Sequence, residues 1–378
     1  MVNSKHATML FLTVLGQMSC QPGRPIESQD LGAVATPSRN MTLPLHKLEK
    51  WFESSEKEAA ITQEAIDFGK TFAMGKGTRD AHTKAHGCVK GTFTVNPNIS
   101  EDLKVGFFAR PATYKSWIRF SNSSPEIKPD GARGALGMAI KVIDGGSPDK
   151  SVAILPNSSQ DFLLVNHPNF IVENIREYMA LQKDPQAYVK NPLHLGATAV
   201  FLKIMSKKIA NPLETQYWSM SAYALGETSA VKYTTVPCSA EVSPYPPSPS
   251  ENLLAENLAK TLKTKGVCFE FKAQRFVSLQ RTPVENPMQE WKEKDLFNIS
   301  NPFETVGRVT IPAQTFNSPE QEQFCENLSY NPWNTAMEHR PLGNLNRARR
   351  SVYKEIATAR HEKNSAPFPS EPTGDEAF

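Results

Sequence analysis

Four short runs, Val89-Lys-Gly-Thr-Phe-Thr-Val95, Trp117-Ile-Arg-Phe120, Met138-Ala-Ile-Lys-Val142 and Phe162-Leu-Leu-Val165, decide the fold of this chain. Each is rich in β-branched and aromatic residues, and Gly, Pro, Asn and Asp separate them, which predicts antiparallel strands closing a sheet or barrel. Residues 170–210 then turn helical. Strand patterns return in Tyr217-Trp-Ser-Met-Ser-Ala-Tyr223, Ala230-Val-Lys-Tyr-Thr-Thr-Val236 and Gly266-Val-Cys-Phe-Glu-Phe-Lys-Ala-Gln274. The stiff segment Ser243-Pro-Tyr-Pro-Pro-Ser-Pro249 precedes a helix over Ser250 to Lys265. Upstream, Leu48, Trp51, Phe52, Ala59, Ile61, Ala65, Ile66 and Phe68 fall at helical spacings within Leu45–Phe72, predicting an amphipathic helix or pair of helices. A last helix runs from Leu345 to Lys363. Elements this short, without internal repeats, suit one α+β domain over residues 45–363, with a polar linker at 21–44 and a flexible polar tail at 364–378.

A chain of 378 residues buries a full-sized core, which excludes small disulfide scaffolds. Forty-two Lys+Arg against 39 Asp+Glu leave +3, and 39% hydrophobic with 21% charged residues is ordinary globular composition, so neither nucleic-acid binding nor wholesale disorder is supported. The 29 prolines point to rigid, irregular connections. Five cysteines (Cys20, Cys88, Cys238, Cys268, Cys325) are too few and too widely spaced for a disulfide framework or a CxxC zinc site, and Cys88 reads as a packed thiol. The apolar run from Ala7 to Gly16 is too short to span a bilayer and reads as a signal segment within residues 1–20. Secretion or a periplasmic location follows from it; a cytoplasmic chain with an apolar extension is the alternative. Cys20 after Ser19 suits lipid attachment, but Gln17 stands where that signal has leucine. Asn-X-Ser/Thr sites at Asn40, Asn98, Asn122, Asn157, Asn298 and Asn327 do not decide the compartment.

Among chemical motifs, Gly69-Lys-Thr71 is not a phosphate loop, because Glu64 stands where a glycine is required. His82 and His86, four apart, would share one face of a helix, but no third ligand lies at a telling distance. The C-terminal helix is more informative. Leu345, Ala348, Val352, Ile356 and Ala359 form its apolar stripe, and Arg349, Tyr353 and Arg360 share a neighbouring face. A guanidinium one turn before a tyrosine favours the phenolate, a hard ligand for ferric iron. The same spacing also fits an ordinary half-buried tyrosine beside surface arginines.

Six stretches in order, Arg79-Asp-Ala-His82-Thr-Lys84, Gly87 with Phe93-Thr-Val95, Trp117-Ile-Arg119-Phe-Ser121, Gly137-Met-Ala-Ile-Lys141, Thr305-Val-Gly-Arg-Val-Thr-Ile311 with Leu328-Ser-Tyr-Asn-Pro-Trp-Asn334, and Arg349-x-x-x-Tyr353 ahead of Arg360, resemble haem catalases. The resemblance covers roughly residues 45–362. The phrases HGCVKG, from His86 to Gly91, and EHRPLG, from Glu338 to Gly343, are similar to the short catalase-related peroxidases. It implies a catalase-like antiparallel β-barrel with surrounding helices, lacking the extra C-terminal region of long catalases. It also implies haem b as cofactor, His82 as distal acid and base, Ser121 fixing the His82 tautomer, and Tyr353 as axial iron ligand kept ionised by Arg349. Arg79, Arg119 and Arg360 match the arginines that neutralise the haem propionates, and Phe170 is expected to face the distal haem surface.

Where full catalases carry a distal asparagine, this chain has Ser159-Gln-Asp161, with Asn157 two residues off. The expectation is therefore a haem peroxidase that reduces organic hydroperoxides and hydrogen peroxide with an organic electron donor and has weak catalase activity. The alternatives are a true catalase, a fatty-acid hydroperoxide rearranging enzyme and a non-enzymatic haem carrier.

Overall fold

Period-two alternation builds the wall of the fold. In β1 (Ala85–Val95), Val89, Phe93 and Val95 turn to the interior, whereas Cys88 and Lys90 turn outward. A meander of β2 (Thr113–Asn122), β3 (Leu136–Val142) and β4 (Gln160–Val165) continues the pattern, all antiparallel. Ile118, Phe120, Met138, Ile140, Phe162 and Leu164 point inward with the β1 residues. The chain then adds β5 (Tyr217–Trp218), β6 (Tyr223–Leu225), β7 (Ser229–Pro237), β8 (Val267–Arg275) and β9 (Glu304–Ile311). β4 pairs with β5, β5 with β7, β7 with β8, β8 with β9, and β9 with β1, so eight strands close a barrel while β6 hangs on β7 as a hairpin. Closure removes the sheet edges.

The barrel is filled by side chains. Phe162 and Phe271 have ring centroids 4.7 Å apart, Phe93 and Phe271 5.0 Å, and Phe107, Phe108 and Tyr233 complete the aromatic cluster. Burying each such ring contributes about 1.5–3 kcal/mol. Chemistry is therefore to be sought on the outer face of the barrel.

This computed structural model describes residues 43–145, 159–296, 298–368 and 372–378. The signal segment, Cys20, Asn40 and Asn157 lie outside the described residues. Seven helices are described: α1 (Ser55–Lys76), α2 (Ile175–Lys183), α3 (Pro185–Lys190), α4 (Leu195–Ser206), α5 (Leu253–Thr264), α6 (Pro319–Asn327) and α7 (Asn344–Lys363). The α7 stripe is buried as its spacing predicts. It crosses α1 so closely that a Cβ at Gly69 would collide with Ile356. None of these helices is long and apolar enough to cross a membrane.

Three expectations are corrected. First, α1 begins at Ser55 instead of Leu45, because the Ser54 hydroxyl accepts from Lys57 N and caps the helix; Leu48, Trp51 and Phe52 precede it in irregular chain. Second, the segment expected as a flexible tail docks by residues 372–378. Trp117 Nε1 donates to a Glu376 carboxylate oxygen at 3.0 Å, Lys115 pairs with Asp375, and Phe378 rests on Trp117 and Phe324. Third, Cys88 is not a free thiol: Cys88 bonds to Cys325 and Cys238 to Cys268. Sequence spacing is no guide to a bridge that joins residues 237 apart, since packing of α6 on β1 brings them together. Replacing Cys88 and Cys325 by alanine is expected to lower the unfolding free energy by about 2–5 kcal/mol, read from denaturant midpoints.

Candidate active site

On the outer face of β2, Arg119 stands opposite Cys88 and Ala139, and Ser121 opposite Gly137. The chain entering β1 folds over this patch. His82 adopts φ 57°, in the left-handed region that a non-glycine residue occupies only when its surroundings enforce it. They do so here through a set of hydrogen bonds. Thr83 N donates to Ser124 O, the Thr83 hydroxyl is 2.9 Å from Arg79 O and 3.0 Å from Pro125 O, and Arg119 donates to the carbonyl of His82 at 2.9 Å. Ser121 Oγ lies 3.0 Å from His82 Nδ1, which leaves Nε2 to handle a proton. Burial first, and then Arg119, Arg349 and Arg79, push the imidazole pKa down to about 3. His82 is therefore neutral at ordinary pH.

Gly137 is part of this arrangement. A Cβ there would lie 2.6 Å from both Cε1 and Nδ1 of His82. Gly137→Ala is expected to displace the ring while costing about 1–3 kcal/mol of stability, read from the His82 imidazole NMR signals beside a thermal melt.

The opposite wall comes from α7. Arg349 Nη2 donates to Tyr353 Oη at 3.0 Å, and its guanidinium carbon lies 4.9 Å from the Tyr353 ring centroid. Arg349 Nη1 donates to Asn346 Oδ1, and the fully buried Asn346 amide donates in turn to Ser221 Oγ, Ala222 O and Leu342 O. The guanidinium is thus fixed from behind. Tyr178 of α2 lies within electrostatic reach of this pair and of Asp80; burial raises the Tyr178 phenol and pushes the Asp80 carboxyl up to about 6.

Between the walls lie Arg79, Arg119 and Arg360. Arg79 and Arg360 both donate to the carbonyls of Glu326 and Leu328 at the C-terminal end of α6, where the helix dipole is negative. Among the described residues the single carboxylate bound to this cluster is Glu326, paired with Arg79. Burial, followed by the charge of Arg79, pushes both Arg119 and Arg360 down to about 9. Arg119 Nε is buried with no partner among the described residues. The cluster is short of negative charge.

The structure thus brings together His82 with Ser121, Arg349 with Tyr353, and Arg79 with Arg360. Arg119 does something the sequence did not foretell: it holds the strained loop through the His82 and Thr83 carbonyls. Phe170 packs in the apolar cluster of Val172, Ile175, Leu345, Ala348 and Val352, with Tyr178 6.2 Å away between ring centroids. His86 does not share a helical face with His82, because the chain there is a loop running into β1; its Nε2 pairs with Asn122 Oδ1 at 2.8 Å. Asn346 and Glu326 were missed. Asn346 stands three residues before Arg349 on one helix face, a signal in the sequence, whereas Glu326 has none.

Ser159 and Asp161 are committed elsewhere. Both meet the buried Lys141 ammonium, at 3.1 and 2.9 Å, and Asp161 also accepts from Asn331 N and Asn334 Nδ2.

No protein-family model matches this sequence, and no curated protein matches it. Solved structures do match. A fungal catalase superposes with TM-score 0.60 at 13% identity over 80% of this chain and 63% of its own. A bacterial catalase gives 0.60 at 14% over 89% and 66%, and catalase A from Saccharomyces cerevisiae 0.59 at 14% over 80% and 70%. The chain therefore spans about two thirds of the length of these catalases. At such identities the likeness is one of architecture, and this chain carries the catalase fold: a closed eight-stranded antiparallel barrel with its helices outside.

Proposed function

We propose that this chain is a haem-dependent peroxidase, similar to the short catalase-related peroxidases, that reduces organic hydroperoxides and hydrogen peroxide at the expense of an organic donor. The observation that carries the reading is the pairing of a neutral His82 held by Ser121 with a Tyr353 held by Arg349, close enough that Arg349 acts on the imidazole.

The residues fit haem b. Three arginines with one carboxylate, and an unpartnered buried Nε on Arg119, are suited to the two propionates of that cofactor. Arg79, Arg119 and Arg360 would hold them, and Tyr353 would supply an oxygen ligand to the iron. When bound, haem supplies the electrons that break a peroxide O–O bond. The chain supplies the proton management. His82 Nε2 takes a proton from one peroxide oxygen and returns it to the departing one, Ser121 keeps Nδ1 as the other end of the tautomer, and Arg119 keeps the loop from relaxing. Rapid disproportionation needs a polar grip on a second peroxide. Ser159 and Asp161 are engaged by Lys141, which supports a donor-dependent second half and weak catalase activity.

The test is an absorption spectrum of purified protein with haem supplied, followed by cumene hydroperoxide with and without a chromogenic donor. Donor oxidation supports the proposal. Turnover without donor would favour rearrangement or catalase chemistry, and a colourless protein would end the haem reading. Because the imidazole stays neutral down to about pH 3, the peroxide-cleavage rate is expected to be flat from pH 8 to about pH 4 and to fall only below that. Below the ordinary 6.5 the unfolded chain takes up the proton that the buried ring refuses, so folding stability also declines toward pH 3. An acid limb near pH 6.5 would contradict this placement of His82.

Two disulfides support an oxidising compartment, in line with the signal-segment reading. N-terminal sequencing of exported protein tests it.

A further inference from the structure

Helix α4, Leu-Gly-Ala-Thr-Ala-Val-Phe-Leu-Lys-Ile-Met-Ser, is mostly apolar, with apolar residues on its outer as well as its inner side. A helix of that kind belongs in a core or in lipid. Its inner side is accounted for: Ala197 joins the cluster of Ala65, Val172, Leu345 and Ala348 beside the candidate site. Its outer side has no partner among the described residues. Leu195, Ala199 and Leu202 recur at i, i+4 and i+7 along the solvent face, with Leu195 71% and Leu202 61% exposed, and Leu193 just before the helix is 88% exposed.

The stretch of chain that carries this face has charge of one sign. No Asp or Glu occurs between Asp184 and Glu214, while Lys190, Lys203 and Lys208 are exposed. Arg133, also exposed, donates to Met205 O at the C-terminal end of the helix. Long basic side chains beside exposed leucines can lie along an apolar layer while their charged ends reach anionic headgroups. A second copy seated symmetrically on this face would set lysines against lysines with no carboxylate from this stretch to pair them.

We propose that α4 docks this protein onto an anionic lipid surface, with Leu193, Leu195 and Leu202 entering the apolar layer and Lys190, Lys203 and Lys208 at the headgroups. This goes beyond the haem reading and stands without it. The same helix walls the apolar cluster holding Phe170 and Val352, so docking would bring a lipid surface to the side of the molecule where Tyr353 sits.

Co-sedimentation of the full chain with vesicles tests the proposal, using phosphatidylcholine alone and phosphatidylcholine mixed with phosphatidylglycerol. Binding is expected to the mixed vesicles and to weaken as salt rises. Leu195→Ser with Leu202→Ser is expected to weaken it about tenfold or more, and Lys203→Glu with Lys208→Glu similarly, with unchanged melting curves because all four side chains are exposed. Parent protein that stays in the supernatant, or binding that both variants retain, overturns the proposal. A dimer in gel filtration that the leucine variant dissociates also overturns it, assigning the face to a second copy.

Discussion

Tyr353→Phe protein is expected to bind haem at least about 100-fold more weakly than the parent chain, with folding left nearly intact. Tyr353 Oη is the phenol oxygen that the structure pairs with a fixed cation on this wall, at 3.0 Å from Arg349 Nη2. Removing the oxygen leaves the ring packing and the Asn346 network behind Arg349 in place. The loss should therefore appear in haem titration, followed by absorbance, and not in the thermal melt. Undiminished haem binding with an unchanged spectrum would mean that the axial ligand lies elsewhere. Loss of folding without haem would make the tyrosine a structural residue first.

His82→Ala should behave in the opposite way, holding haem and losing peroxide cleavage by about 10²–10⁴-fold. Among the described residues the side chain's one hydrogen bond is to Ser121 Oγ, whereas the loop is fixed by the backbone carbonyls of His82 and Thr83 that Arg119 engages. Deleting the imidazole thus removes the proton carrier and leaves the loop tied. Rapid mixing with peroxide, beside the haem spectrum, gives both quantities, and full activity in this variant would remove the mechanism.

Much of the architecture was legible because it rests on period. The four opening runs announce the barrel wall, and the α7 stripe at Leu345, Ala348, Val352, Ile356 and Ala359 announces the proximal helix, together with the Arg349–Tyr353 pair on its flank. What escaped the sequence was contact between distant parts. The Cys88–Cys325 bridge, the docking of Glu376 on Trp117 and the grip of the α6 carbonyls on Arg79 and Arg360 depend on the whole fold. Gly137 reads as an unremarkable strand glycine until the ring of His82 is found against it. His82 and His86 show the converse error: a spacing of four suggests a helix face only if the chain there is helical.

The candidate site has one wall from residues 79–137 and the other from residues 319–360. β1 to β4 are joined by neighbouring hairpins, so the distal wall closes through contacts near in sequence, which form quickly. The α6 carbonyls and the Arg349–Tyr353 pair leave the ribosome more than 150 residues later. On the haem reading proposed above, a cofactor meeting the growing chain would find half a cradle and not yet the tyrosine proposed to hold its iron. Cofactor capture is therefore expected to follow release of the finished chain, and its timing is set by barrel closure through β9 onto β1.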